Sequence, residues 1–167
     1  MFAVRMHADI AIRHDLRPGD LGRIVSLHGE AYAPLPGFGE RFEAYVASTI
    51  AEYVLDNDAR GRIWLAERGS ELIGCTAIAL RDDDVAQLRW VVVDPSARGA
   101  GIGGTLAGKA LDYCREQGRQ SVHLYTTDGL PESQALYEKL GFRITANAPD
   151  ELWEGVRPLI RMQLDLA

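Results

Sequence analysis

The 167-residue sequence predicts an α+β fold with a mixed sheet. Three observations predict it. Residues 62–93 alternate as three consecutive strands separated by short polar turns, which reads as an antiparallel meander. Four other stretches carry apolar residues at helical spacing. After residue 93 the chain runs helix, strand, helix, strand, strand, so about seven strands are flanked by about four helices in alternating layers.

In chain order, Asp9 to Arg17 alternates through Ile10 and Ile12 as a short strand. Pro18-Gly19-Asp20 opens a helix with Leu21, Ile24, Val25 and His28 on one face. After the loop Ala33-Pro34-Leu35-Pro36-Gly37, a second helix from about Glu40 to Leu55 aligns Phe42, Val46, Ile50 and Val54. The meander follows as Arg62 to Glu67, Glu71 to Leu80 and Val85 to Val93. Asp82-Asp83-Asp84 reads as a solvated hairpin tip, since no metal-type spacing surrounds it. A long helix spans roughly Gly101 to Gly118, with Ile102, Leu106, Ala110, Leu111 and Cys114 inward. Ser121 to Thr126 is a strand, Glu132 to Leu140 a short helix, and Phe142 to Ala146 and Leu159 to Leu166 the last strands.

The bulk numbers bound what this fold does. A chain of 167 residues suggests one domain, residues 1–167, and buries roughly two thirds of its unfolded surface without staples. The formal net charge of -6 argues against broad binding to nucleic acid or anionic membranes. Cys75 and Cys114 lie in apolar patterns and read as small core residues, with no disulfide framework. Met1 to His7 is interrupted by charge too early for a signal peptide, and no apolar run approaches the ~18 residues of a membrane span. A cytoplasmic address is the expectation.

The most informative segment follows the meander. Leu88-Arg89-Trp90-Val91-Val92-Val93 is a nearly continuous apolar strand, stopped by Asp94-Pro95. Arg98-Gly99-Ala100-Gly101-Ile102-Gly103-Gly104 then leads into a helix. Glycines let the backbone turn sharply and approach a ligand closely. The free N–H groups of the first helical turn, aided by the helix dipole, favour an anion such as a pyrophosphate. Arg98 adds a charged donor. Gly99-x-Gly101-x-x-Gly104 also matches the dinucleotide pattern, but Asp94 to Arg98 intervene after the strand and too few βαβ units follow. Gly103 to Lys109 nearly matches a phosphate-binding P-loop, yet Ala110 stands where a hydroxyl should bind magnesium.

The run Val91 to Gly103 resembles the acyl-CoA-binding motif of the GNAT superfamily of N-acyltransferases, and Ala135-Leu136-Tyr137-Glu138-Lys139-Leu140-Gly141-Phe142 resembles its second signature. Arg17 to Gly22, Arg41-Phe42-Glu43, Gln87 to Trp90 and Gly129-Leu130-Pro131 look similar to the acetyltransferase half of bacterial fusions between a MarR-type regulator and a GNAT domain. The resemblance implies a mostly antiparallel sheet splayed between strands four and five. It implies transfer of an acyl group, by expectation acetyl, from acyl-CoA to a primary amine by direct attack. Acetyl-CoA is then the co-substrate and no metal takes part. Backbone groups of Val91, Val92 and Val93 would face the thioester arm. Arg98, Gly99, Ala100, Gly101, Ile102, Gly103 and Gly104 would hold the phosphates. Tyr137 would protonate the departing thiolate. The acceptor is a small-molecule amine or a protein or peptide amine, with no nucleic-acid or membrane partner, and a homodimer is a family-level expectation. The alternative is a non-catalytic CoA-binding or regulatory module on the same fold.

Some roles stay open at this level. Many family members have an asparagine seven residues before the tyrosine, where this chain has Leu130, so that contact either comes from elsewhere, with Thr126 and Ser133 as candidates, or is absent. Strand four offers no carboxylate as a base. His28, Glu30 and His123 read more simply as structural or surface groups. Tyr32, Phe38 and Trp153, expected in loops, are candidates for an aromatic acceptor pocket.

Overall fold

A computed structural model describes residues 9–56, 61–82 and 84–166. The amino-terminal reading of Met1 to His7 and the Asp83 position lie outside the described residues. One seven-stranded sheet runs in the order β1-β2-β3-β4-β5-β7-β6. Its strands are β1 (Ile10–Arg13), β2 (Arg62–Arg68), β3 (Glu71–Leu80), β4 (Val85–Val93), β5 (Ser121–Thr126), β6 (Arg143–Leu152) and β7 (Gly155–Asp165). The helices are α1 (Asp20–Tyr32), α2 (Glu40–Leu55), α3 (Ile102–Glu116) and α4 (Pro131–Leu140).

Helical spacing sorts the helices into two layers. Ile24, Leu27, Ala31 and Ile50 of α1 and α2 pack with Ile63, Leu65, Cys75 and Ala77 on one face of the sheet. Ile102, Leu106, Ala110 and Cys114 of α3, with Tyr137 of α4, pack with Ile73, Ile78, Ala86, Leu88 and Val122 on the other. Burying one face of each helix against an alternating strand is what fixes this sandwich. The thiols of Cys75 and Cys114 are both buried, and burial raises the pKa of each, that of Cys114 to about 12. They are core groups.

All pairings are antiparallel except β4 with β5, which is parallel and short. Its register covers only Val85↔Ser121, Ala86↔Val122 and Gln87↔His123. Beyond Gln87 the two strands part, and β4 continues to Val93 with no partner on that side. A cleft opens in the sheet at that point.

β4 also carries a β-bulge. Cys75 pairs with Val92 and Ala77 with Arg89, so two residues, Trp90 and Val91, oppose Thr76 alone. Trp90 takes φ 48, the only described non-glycine residue with positive φ. The bulge reverses the alternation of side chains along the strand. Leu88 packs on the α3 side, Trp90 packs on the α1–α2 side, and Val91 returns to the α3 side. That explains why the segment reads as apolar on both faces.

Two sequence expectations need correction. Val54 is exposed rather than part of the inward face of α2. Its neighbour Tyr53 packs inward instead, its hydroxyl donating to the Ile78 carbonyl at 2.9 Å. The last two strands are also far longer than residues 142–146 and 159–166. β6 and β7 pair from Arg143↔Gln163 to Leu152↔Gly155, and residues 147–158 form a two-stranded arm beyond the end of β5. Pro149 and Pro158 hid this arm by their usual aversion to strands. They face each other across the ladder on a segment with an open edge, where a missing N–H is tolerated.

At the far edge, Asp20 locks the start of α1 to β1. Arg13 donates both terminal nitrogens to the Asp20 carboxylate at 2.8 and 2.9 Å, and one of them also reaches Glu67 at 2.8 Å. The Arg17 amide adds a bond to Asp20 at 2.7 Å. Hydrogen bonding from Arg13 is the main reason the Asp20 pKa is lowered.

Candidate active site

The cleft between β4 and β5 encloses about 530 Å³. It passes through the sheet. Leu124 and Tyr137 line it from the α3–α4 side, and His28, Tyr32, Phe38, Phe42, Tyr45 and Trp153 line it from the α1–α2 side.

The glycine-rich turn lies just beyond the end of β4. Asp94 caps a single 3-10 turn, Pro95–Ala97, accepting from the Ser96 amide at 2.8 Å. Gly99 and Gly101 then take φ 87 and φ 75, left-handed values that a side chain resists, and Gly101 serves as the N-cap of α3. Gly103 and Gly104 do something different. A Cβ at Gly103 would touch Leu136 and Val93 at 3.4 and 3.5 Å, whereas one at Gly104 would meet nothing within 4 Å. So Gly103 lets α3 sit close to α4 and β4, and Gly104 leaves open the space in front of the helix. The first intrahelical bond at this end runs from Thr105 N to Gly101 O, 3.0 Å. The amides of Ile102, Gly103 and Gly104 therefore have no partner within the helix. Arg98, Gly99, Ala100 and Gly101 are exposed, and Arg98 forms an ion pair with Glu132 of α4 at 3.2 Å. An exposed turn of unsatisfied amides, with an open cradle that a Cβ would fill, fits a diphosphate.

Hydrogen-bond parity sorts the three valines. Asp94 N donates to Ile73 O at 2.7 Å, which makes Cys75↔Val92 a hydrogen-bonded pair one step back along the ladder. Val92 thus turns its backbone toward β3 and its side chain into the core. Val91 and Val93 turn their backbone groups toward the gap left by β5. The Val91 carbonyl accepts a long hydrogen bond from the Tyr32 hydroxyl, 3.5 Å.

Tyr137 is buried, one turn after Ser133 on α4, and both face the cleft. Its ring meets Phe142 edge-on at 6.1 Å. Burial first, and the nearby Tyr32 second, raise its pKa above that of a free phenol. Tyr32 is raised as well, chiefly by burial, while Ser133 and Arg98 pull it back. Leu130 lines the cleft where an asparagine was expected, and Thr126, Thr127 and Ser133 supply hydroxyls around it. Thr127 is already committed to the Pro158 carbonyl at 2.7 Å.

The candidate bases separate. His28 is buried, with Nδ1 2.8 Å from the Ile24 carbonyl and its ring stacked on Tyr32. A carbonyl only accepts, so Nδ1 carries the proton. Burial lowers its pKa to about 4, which makes it a weak base in a packing role. Glu30 is exposed on α1 and does not line the cleft. His123 lies outside the cleft too, and its Nδ1 is buried without a hydrogen bond among the described residues.

Tyr32, Phe38 and Trp153 do come together, although only Phe38 lies in a loop between helices. Tyr32 ends α1 and Trp153 forms the tip of the β6–β7 arm. The Trp153 indole donates to the Gly37 carbonyl at 2.8 Å and its ring packs 5.0 Å from Phe42 and 5.4 Å from Tyr45. Arg157 ties the same arm to the Pro36 carbonyl at 3.0 Å and to Asp128 at 2.9 Å. Phe42, Tyr45 and Arg89 were missed by sequence reasoning. Phe42 looked like helix core, and nothing in the chain order announces that Tyr45 and Arg89 face a cavity.

A sequence model of the Acetyltransferase (GNAT) family matches residues 24–142, which include β4, the glycine turn and α4. The chain belongs to the GNAT acetyltransferase family. A mycothiol acetyltransferase from Thermomonospora curvata is 35% identical over 96 residues, covering 58% of this chain and 32% of that protein. The chain spans about a third to a half of the length of the curated relatives it matches. A GNAT acetyltransferase from Staphylococcus aureus superposes with a TM-score of 0.76 at 21% identity, covering 95% of this chain and 100% of the other. A Salmonella typhimurium protein solved with acetyl-CoA as its cofactor gives a TM-score of 0.69 at 21% identity, covering 95% and 94%. These likenesses establish the GNAT fold, with its mixed seven-stranded sheet and four helices.

Among the described residues no group of three or more histidine, cysteine, aspartate or glutamate side chains could hold a metal, and no helix is long and apolar enough to cross a membrane.

Proposed function

We propose that this GNAT chain, residues 1–167, is an N-acetyltransferase domain that moves an acetyl group from acetyl-CoA to a primary amine by direct attack in a ternary complex. The observation that carries the reading is a through-sheet cleft with unsatisfied helix amides at one end and a buried phenol in its wall. The amides of Ile102, Gly103 and Gly104, with the open Gly99–Gly101 turn and Arg98, hold the diphosphate. Val91 and Val93 offer their backbone groups to the arm that enters the gap, and Val92 contributes packing. Acetyl-CoA supplies an activated acyl thioester. A backbone N–H at the splay, with Val93 the best-placed donor, supports negative charge developing on the carbonyl oxygen.

The remaining steps are proton transfers around the chain's own groups. The amine attacks as a free base after losing a proton to water, because His28 is a buried weak base committed to the Ile24 carbonyl and the carboxylates that line the cleft, Asp150 and Glu151, lie exposed on the β6–β7 arm. A C–N bond forms, the C–S bond breaks, and the nitrogen releases its second proton to water. The phenolic proton of Tyr137 passes to the departing sulfur and is replaced from solvent. A raised pKa keeps that proton in place through neutral and mildly alkaline pH.

Similarity to the acetyltransferase half of MarR-type regulator fusions belongs to this proposal, as do a cytoplasmic setting and a homodimer. The acceptor is an amine on a small molecule, protein or peptide. Thiol release from acetyl-CoA across an amine library tests the reading, and Tyr137→Phe should lower kcat on the order of 10²–10⁴-fold with acetyl-CoA affinity unchanged by calorimetry. Tight CoA binding with no thiol release, indifferent to Tyr137→Phe, would instead mark a non-catalytic CoA-binding module.

A further inference from the structure

Arg89 is a cation set among the aromatic side chains that line the α1–α2 side of the cleft. It lines the cleft two residues before Val91, on the α1–α2 side. Its guanidinium lies 4.3 Å from the centre of the Trp90 ring. Trp90 is itself fixed, its indole donating to Thr49 at 3.3 Å and its ring meeting Tyr53 edge-on. Stacking of this kind holds a guanidinium flat while leaving its edge donors available.

That cation has no acidic counterpart. Among the described residues no carboxylate lies within ion-pair distance of Arg89, although Arg13, Arg17, Arg23, Arg68, Arg98, Arg115, Arg143 and Arg157 all have one. Asp150 and Glu151 line the same cleft from the β6–β7 arm without pairing with it. Burial, first, and then Arg81 hold its pKa below that of a free guanidinium, while the Tyr45 phenol, which is hydrogen-bonded to it, and Glu52 favour its charge. A half-buried, unpaired cation costs free energy unless something else neutralises it.

We infer that Arg89 receives the carboxylate of the acceptor, and that the acceptor is a free amino acid with an apolar or aromatic side chain. This rests on the acetyltransferase reading above and names the substrate class for the same site. The geometry is that of one strand. Residues on a regular strand rise about 3.3 Å each, so even across the bulge the backbones of Arg89 and Val91 lie within roughly 7 Å, the span of one small molecule. An amine aimed at the gap beside Val91 and a carboxylate on Arg89 then belong to the same small molecule. Its side chain faces Tyr32, Phe38, Phe42, Tyr45 and Trp153, which offer ring faces and no charge. A half-buried, planar fork that pairs with a carboxylate discriminates against analogues lacking it, because its charge and its remaining edge donors are otherwise left without an acidic partner.

The test compares L-phenylalanine, L-leucine, L-methionine and L-tryptophan with their amides and decarboxylated amines. Each is titrated calorimetrically into the CoA-loaded protein and assayed for thiol release with acetyl-CoA. At least one amino acid should bind ten-fold or more tightly than its amide and amine. Arg89→Met should abolish that preference by raising KM for the acid, with little change for the neutral analogues, and Arg89→Lys should restore it in part. Thermal melting and CoA affinity of both variants report folding separately. Amides and amines that bind and react as well as every parent acid would overturn the inference. So would an Arg89→Met variant that weakens acids and neutral analogues equally. Carboxylate-selective binding without thiol release from any amine would uphold Arg89 and sink the acetyltransferase reading. Thiol release confined to amines without a carboxylate would do the reverse.

Discussion

The two ends of the cleft are built from different material. The α3 end is backbone: an exposed turn in which Gly99 and Gly101 set the path, Gly103 allows close packing and Gly104 leaves space. The α1–α2 end is side chain: Tyr32 of α1, Phe42 and Tyr45 of α2 and Trp153 of the β6–β7 turn, with Arg89 of β4 among them. A backbone site recognises what every member of a ligand class shares, here a diphosphate. A side-chain site recognises what differs from one acceptor to the next. The same contrast explains why the first end is legible as a motif and the second is not.

Perturbations can sharpen or break this division. The largest expected effect lies outside both ends. Asp20→Asn removes a buried carboxylate that binds half-buried Arg13 and also Arg23, leaving Arg13 its bond to Glu67, and should cost about 2–3 kcal/mol in chemical denaturation, leaving CoA and acceptor affinities unchanged in the protein that remains folded. The pH dependence agrees in sign. The folded pKa of Asp20 lies below its unfolded value, so its contribution is complete above about pH 4 and disappears as pH falls through the folded pKa. The variant should lose that acid-labile component. An unchanged acid limb would show that the network holds no stability.

Trp153→Ala removes a ring from the aromatic end and a hydrogen bond to the α1–α2 loop. It should cost roughly 1–3 kcal/mol of stability and raise acceptor KM, with acetyl-CoA affinity intact. Parallel losses at both ends would break the division. Gly104→Val is the converse. Its new side chain meets open space, and valine outranks glycine in helix propensity, so the fold should persist with stability unchanged or slightly raised. CoA affinity should fall about ten-fold or more, some 1.4 kcal/mol, by calorimetry. Retained CoA affinity would place the diphosphate elsewhere.

Much of the fold was readable because local signals agreed with global ones. The meander, α3 and α4 each carry their own periodicity and stop signals, and all three matter for the CoA end. The misreadings have specific causes. The arm of residues 147–158 carries two prolines and no clean alternation, because it pairs only with itself and buries little. Trp153 does lie in a connecting turn, as expected, but the strands that carry this turn over the α1–α2 side are not legible. Val54 followed the helical spacing of α2, but at that end Tyr53 takes the inward position and Val54 turns to solvent.

By itself the sequence determined the layer plan, the glycine-rich turn and the buried tyrosine on α4. Each depends on residues close together in the chain, where spacing alone dictates which groups share a face or a turn. Only the tertiary structure decided that β4 parts from β5 after Gln87, that a bulge turns Arg89 and Trp90 toward α1 and α2, and that a remote arm closes an aromatic chamber over them. These are meetings of residues up to a hundred or more positions apart, set by packing and register, and no local pattern encodes them.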